Sequence, residues 1–257
     1  MVGTKAYVTE YFTGTLGVID ASPEIRPAAE SIPLGPEQPM SVARKGEMFF
    51  HDASLCFQGW LSCATCHPDA RMDGLNWDLL NDGMGNPKSA KSMLLSHKTP
   101  PSMITGVRAK AEVAVRAGFR FILFAVRPEE DSVAIDTYLK SLTPVPSPYL
   151  VDGKLSETAQ RGKKLFESAG CAGCHPSPLF TDKQKYDVGT GPDNRGFKEF
   201  DTPTLVEIWR TGPYLLDGRA ATITDVLKKH NAKDKHGTTS KLSDQQVADL
   251  GEYILSQ

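Results

Sequence analysis

Two periodicities divide the chain. From Lys5 to Asp20 apolar and polar residues alternate around Thr13-Gly14, the pattern of two short strands joined by a turn. Beyond residue 20 the strand signal fades and helical spacing takes over. Val133, Ile135, Tyr138, Leu139 and Leu142 mark one amphipathic helix, and Val247, Leu250, Tyr253 and Ile254 mark another. Pro144 stops the first, and Ser243 with Gln246 makes a capping box at the start of the second. Pro23, Pro27, Pro33, Pro36 and Pro39 read as an extended connector, and Pro144, Pro146 and Pro148 as a linker. The longest nearly apolar run, Phe119 to Val126, is interrupted by Arg120 and falls far short of a membrane span.

The segments between and after these connectors repeat each other. Lys45-Gly46 then Phe49-Phe50 precede Cys63-Ala64-Thr65-Cys66-His67, and Arg161-Gly162 then Leu165-Phe166 precede Cys171-Ala172-Gly173-Cys174-His175. A proline follows each motif, Pro68 and Pro176, and Thr99-Pro100-Pro101-Ser102-Met103 is echoed by Thr202-Pro203-Thr204-Leu205. Each repeat closes on one of the amphipathic helices. The pattern predicts a mostly α protein of two domains in tandem, residues 41–146 and 147–257, behind a short β-hairpin and connector over residues 1–40. A chain of 257 residues is long enough for both. With 29 basic and 31 acidic residues and a net charge of −2 it has no electrostatic footprint for nucleic acid. The stretch from Lys228 to Lys235 reads as a solvated helix end.

Cysteine spacing supplies the chemistry. Two cysteines three positions apart on a helical turn reach the two vinyl groups of one porphyrin as thioethers, and the adjacent His turns beneath the ring to ligate iron. A zinc ribbon would need two pairs converging on one metal, which the matched repeat around each pair argues against. A redox dithiol would need one pair within a βαβ pattern. The expectation is two covalent c-type haems in two cytochrome c-like domains. Cys63, Cys66, Cys171 and Cys174 attach them, and His67 and His175 are the proximal ligands. Cys56 is left over and reads as a buried thiol.

The far side of each iron is less determined. In the second repeat Thr222 to His230 reads as a short capped helix ending on His230, the favoured sixth ligand, with His236 in the following loop as its competitor. In the first repeat Met84, Met93, His97 and Met103 are all available, Met93 being the one carried forward, and an open iron is the other outcome.

The start of the chain has no apolar leader segment, although c-type haem is attached outside the bacterial cytoplasm; a periplasmic or other extracytoplasmic setting is expected. Lys5 to Asp20 resembles one hairpin of a YVTN-type β-propeller blade. A lone hairpin cannot bury its faces, so the expectation is a propeller upstream of this segment.

Residues 41–257 resemble the bacterial dihaem cytochrome c peroxidases and the related MauG-like enzymes. Phe200-Asp201-Thr202-Pro203-Thr204-Leu205, Thr211-Gly212-Pro213-Tyr214 and Asp217-Gly218-Arg219-Ala220-Ala221-Thr222 carry the likeness, in register with that family's C-terminal signature. The resemblance implies a sixth ligand at the position of His230, where peroxidases have Met and MauG has Tyr. A second imidazole lowers the potential relative to Met. It implies a peroxide-reactive first haem with a distal acid, for which Glu129 and Glu130 are the candidates, and a tryptophan between the haems. Residues 111–119 hold no Trp, and Trp209 does not match that position. The family's interdomain calcium has an Asn ligand where this chain has Lys98, so no calcium of that kind is expected; an ammonium there would replace the ion's charge.

Two functional expectations follow. The first is a dihaem electron-transfer protein serving a redox partner. The second is a MauG-like or peroxidase-like oxidoreductase that uses the first haem.

Overall fold

The computed structural model describes residues 2–22, 29–78, 87–191 and 198–257. The N-terminal alternation forms β1 (Lys5–Glu10) and β2 (Thr15–Asp20), antiparallel with Tyr7 opposite Val18. A third strand, β3 (Ala29–Pro33), pairs with the other edge of β2. Part of the proline-rich segment therefore joins the sheet rather than running as connector. Pro33 is tolerated because β3 is an edge strand, where one missing N–H removes no interior ladder bond.

Helices dominate the remaining regular structure: α1 (Val42–His51), α2 (Cys63–Cys66), α3 (Ala111–Phe121), α4 (Glu129–Ser141), α5 (Glu157–Ser168), α6 (Cys171–Cys174) and α7 (Asp244–Leu255). The Ser243 and Gln246 capping box forms as the sequence predicts, with Gln246 N–H donating to Ser243 Oγ at 3.2 Å. Leu142 leaves helical geometry two residues before Pro144. The sheet rests on α1 through Arg44, whose guanidinium lies 3.9 Å from the Tyr11 ring centroid and donates to the Tyr11 carbonyl.

The repeated glycines explain how each half closes. A Cβ on Gly46 would lie 1.9 Å from the Ala134 carbonyl oxygen, and one on Gly162 would lie 1.9 Å from that of Asp249. Opening helix α1 thus crosses closing helix α4 backbone to backbone, and α5 crosses α7 in the same way. Only a residue without a side chain fits there. Two apolar clusters form around these crossings. Phe49, Phe50, Phe119, Ile135 and Leu139 belong to the first; Phe166, Leu205, Val247, Leu250 and Tyr253 belong to the second. Cys56 is buried in the first cluster, as expected of a leftover thiol.

Candidate haem sites

In the first half, α2 presents Cys63 and Cys66 to a cavity of about 540 Å³, whose wall also includes His67, Phe50, Leu61, Leu94, Phe119 and Ile122. All four motif cysteines are unpaired thiols. Burial pushes the Cys63 thiol up to about 12 and the Cys66 thiol up to about 11, so neither is a ready thiolate for metal or for disulfide exchange. His67 Nδ1 lies 3.0 Å from the Arg71 carbonyl oxygen. A carbonyl only accepts, so Nδ1 carries the proton and the lone pair falls on Nε2. Burial also holds the His67 pKa below the usual histidine value, which keeps the ring in its metal-binding form. Two further observations fit a haem. The Ser102 Oγ and Thr105 Oγ1 atoms are buried without a hydrogen-bond partner on residues that line the same cavity, and Arg108 lines it beside them. Propionate oxygens would satisfy both hydroxyls.

The second half repeats the arrangement. α6 carries Cys171 and Cys174, and burial pushes the Cys171 thiol up to about 11. His175 Nδ1 donates to the Phe180 carbonyl at 2.9 Å. Across from His175 stands the imidazole of His236, with ring centroids 6.4 Å apart and planes inclined by 42°. Asn231 places it there. The Asn231 Oδ1 accepts from His236 N–H at 2.8 Å, and its Nδ2 donates to the carbonyls of His236 and Gly237. Thr238 N–H ties the loop to the Ala169 carbonyl at 2.9 Å, next to the haem motif. Burial, with His175 as the lesser cause, pulls the His236 pKa down to about 4.

His230, the ligand favoured by the sequence, lies a few residues ahead of this loop. It ends a π-helical turn over Asp225–Lys229, and its Nε2 is buried without a hydrogen-bond partner. The Asn231 anchor brings His236 to the face of His175.

The other expectations separate in space. His97 lies with its Nε2 2.9 Å from Asp136 Oδ1, and Arg116 also binds Asp136, so His97 serves a buried ion cluster and is absent from the cavity wall. Glu129 and Glu130 sit exposed in the first turn of α4, where Glu129 pairs with Arg116. Neither lines the cavity, whose described wall holds no carboxylate and no imidazole besides His67. The distal-acid assignment is thereby corrected: these two acids are helix N-terminal charge. Met93 and Met103 line the cavity. Met93 N–H bonds to the Ala70 carbonyl and Ala70 N–H to that of His67, so Met93 runs alongside the His67 loop. Met84 lies outside the described residues. Lys98, at the position of the calcium expectation, lines a small recess with Leu139 and Leu142, and Gly212 and Pro213 pack beside Gly74.

Sequence reading missed the seam between the halves. Arg71, whose carbonyl orients His67, sends its guanidinium into the second half. There Nε and Nη2 grip both Glu207 oxygens at 2.9 and 2.8 Å. Glu207 is 1 % exposed and also accepts from Val145 N–H at 2.6 Å. Ser89 N–H to the Leu216 carbonyl and Asn76 Nδ2 to the Asp217 carbonyl add to the seam.

This geometry defines a cytochrome c-type protein with two haem sites, and comparison with known proteins agrees. The cytochrome c family model matches residues 159–257. The chain is 32% identical to hydrazine synthase subunit gamma of Kuenenia stuttgartiensis, over 86% of this chain and 84% of that protein. It is 26% identical to the methylamine utilization protein MauG of Methylophilus methylotrophus, over 90% and 86%. Among solved structures, a chain of the K. stuttgartiensis hydrazine synthase superposes with a TM-score of 0.75 at 30% identity, over 91% of this chain and 98% of that one. The chain belongs to the family of hydrazine synthase subunit gamma and the MauG-like dihaem cytochromes, and it carries two covalent c-type haems. Nothing in these comparisons supports the likeness of the N-terminal strands to a propeller blade.

Proposed function

We propose that this chain is a dihaem oxidoreductase subunit in which the second haem is a six-coordinate electron-transfer centre and the first takes small ligands. The domains are residues 41–146 and 147–257, with Cys63, Cys66 and His67 holding the first haem and Cys171, Cys174 and His175 the second. The observation that carries the reading is the 6.4 Å between the His175 and His236 rings. Two imidazoles on opposite sides of one metal, each with a metal–nitrogen bond of about 2 Å and a ring radius of roughly 1.1 Å, have centroids about 6.3 Å apart. His236 is thus the sixth ligand in this reading, in place of His230.

A bound haem supplies one-electron chemistry at its iron. The protein's own contribution differs between the halves. His175 and His236 would hold the iron between them, and a site held by two protein imidazoles would supply electron transfer without ligand exchange. At the first site α3 turns Ala111, Ala114, Val115 and Gly118 toward the cavity, a wall with no lone pair to offer iron. Met93 runs with the proximal loop, and in this reading the far face is open to small ligands, with Met103 the remaining thioether on the wall. That open face favours the second reading, a MauG-like oxidoreductase acting at the first haem. The absence of a carboxylate from the described wall counts against peroxide cleavage there. The name of the gamma-subunit relative supports a role within a larger enzyme, beside a redox partner protein and in an extracytoplasmic compartment where haem c is attached.

The test is spin state in matured protein. His236→Ala converts one low-spin haem to high-spin while His230→Ala leaves both unchanged; the reverse pattern returns the role to His230.

A further inference from the structure

Lys91 and Asp201 form another ion pair across the seam, built differently from that of Arg71 with Glu207. Lys91 lines the first haem cavity, and its ammonium meets Asp201 Oδ2. Asp201 belongs to the second half and stands behind the wall rather than on it. Its N–H donates at 3.1 Å to the carbonyl of Ile104, a wall residue. Glu207 has both carboxylate oxygens engaged. Asp201 does not. It is 3 % exposed, and its Oδ1 is enclosed by protein with no hydrogen-bond partner among the described residues. A carboxylate that buries one oxygen without a donor holds its charge at a cost that protonation lowers.

The charges facing Asp201 leave that balance close. Lys91 favours the anion, and so does Lys185, opposite Asp201 in the strand pair of Lys185–Tyr186 with Phe200–Asp201. The Lys185 ammonium, however, is directed to the Thr105 carbonyl at 3.4 Å. Asp182, which accepts from the Tyr186 hydroxyl at 2.6 Å, opposes the anion. Burial is the strongest influence and holds the Asp201 carboxyl above its ordinary value despite Lys91. Asp136 and Glu207, also buried and ion-paired, are held below theirs. Lys185 is exposed, so solvent lies one side chain from Asp201.

We propose that Asp201 is a redox-linked proton site, which takes up a proton when the first haem is reduced and releases it on oxidation. The balance is one electron to ferric iron and one solvent proton to the Asp201 carboxylate, giving ferrous iron and the carboxylic acid. No bond to iron forms or breaks. Reduction removes one positive charge behind the Lys91 wall, and in a low-dielectric setting a neighbouring anion then becomes harder to keep. Linkage is reciprocal, so the bound proton raises the potential in turn. The inference rests on the reading that the first haem is redox active.

Spectroelectrochemical titration of the dihaem protein over a range of pH tests it. The potential of the first haem should fall as pH rises, within an interval above the ordinary carboxylate range. Its slope there should approach the 59 mV per tenfold change in proton concentration of a one-electron couple. Asp201→Asn should abolish the slope. Lys91→Gln should move the sloped interval to higher pH, because the acid loses its counter-charge; this second variant keeps the test decisive if Asp201→Asn does not fold. Reduced-minus-oxidised infrared difference spectra should show a protonated carboxyl stretch that Asp201→Asn removes. A purely structural ion pair would change neither the slope nor the spectrum. If dithionite does not reduce the first haem, the redox reading itself fails. If the haem is reduced but its potential is independent of pH, or the slope survives in Asp201→Asn, the proton site is refuted. A slope lost instead in Asp73→Asn would give the proton to that acid and overturn the proposal.

Discussion

Arg71 and Glu207, 136 positions apart in sequence, form a buried bidentate ion pair, and the same Arg71 supplies the carbonyl that accepts the His67 Nδ1 proton. The ligand side of the first haem site is therefore tied to the second half of the molecule by one residue. Among the described residues His175 has no such tie, its acceptor being the carbonyl of Phe180.

Replacing Glu207 by Gln leaves the Arg71 guanidinium buried without its counter-charge. Removing one partner of a buried pair costs about 3–5 kcal/mol, and chemical denaturation of the variant reads that loss. The uncompensated cation also disfavours the ferric form of the nearby site, so the potential of the first haem rises while that of the second stays put. Spectroelectrochemical titration resolves the two. Equal shifts at both haems would show that the effect is global rather than routed through Arg71.

The same pair sets part of the acid limb of stability. Burial raises the Glu207 pKa, but the hydrogen bonds from Arg71 and Val145 outweigh it and hold the carboxyl below its ordinary value. A depressed folded-state pKa contributes stability that is complete above the unfolded value of about 4.3 and is lost as pH falls through the folded one. Asp136, held down by His97 and Arg116 against its burial, acts in the same sense. Stability should thus decline below about pH 5, and the decline should be shallower in Glu207→Gln at matched haem content.

Gly46→Ala and Gly162→Ala each place a methyl group at 1.9 Å from a carbonyl oxygen of the closing helix. Both crossings must open, and overpacking of this kind costs typically 1–3 kcal/mol, with more expected where backbone meets backbone. Thermal unfolding followed by haem absorbance checks it. The larger loss of haem contact should fall in the half that carries the substitution, since each crossing anchors its own cluster.

These two glycines also show what was legible in the sequence. The repeat of Gly46 and Gly162, the haem motifs and both closing helices are local patterns, and local patterns announce themselves. β3 did not, because its strand signal is short and set among prolines. The sequence favours His230 because helical periodicity points to the end of a helix, whereas the ring that the structure sets beside His175 is His236, held there by an Asn side chain folding the loop back on itself. Asn231 ahead of His236-Gly237 was the available signal. The Arg71 to Glu207 pair had none: a contact across 136 positions leaves no period, and Glu207 falls in the gap between the signature segments that end at Leu205 and begin at Thr211.

Ligand identity at the second haem yields a sharper expectation. If His175 and His236 ligate the second iron as proposed, replacing His236 by Met exchanges a nitrogen donor for a thioether that favours the ferrous state. The potential of the second haem should rise, with the haem remaining low-spin, while His230→Met shifts neither haem. Potentiometry with EPR at each poise distinguishes the two variants.

The last expectation concerns peroxide. Splitting the O–O bond at an iron needs an open coordination position and a group that moves a proton from one oxygen to the other. In the proposed reading the first site has the opening, beside the apolar α3 wall, and Met93→Leu should leave its spin state unchanged because Met93 runs with the His67 loop. The described wall holds no carboxylate: it carries hydroxyls such as those of Ser102 and Thr105, which do not ionise near neutral pH, and the Lys88 and Lys91 ammoniums, of which Lys91 is paired with Asp201. Glu129 and Glu130 are on the solvent side of α4, and Glu129 is engaged with Arg116. Peroxide turnover should therefore be slow, and Glu129→Gln and Glu130→Gln should not change it. Placing a carboxylate on the wall with Ala114→Glu should raise the rate of haem oxidation by peroxide, by an amount toward the lower end of the 10²–10⁴-fold range typical of general acid–base groups. Rapid turnover in the unaltered protein, lost on substitution of Glu129 or Glu130, would mean that α4 reaches the iron by a movement that this structure does not contain.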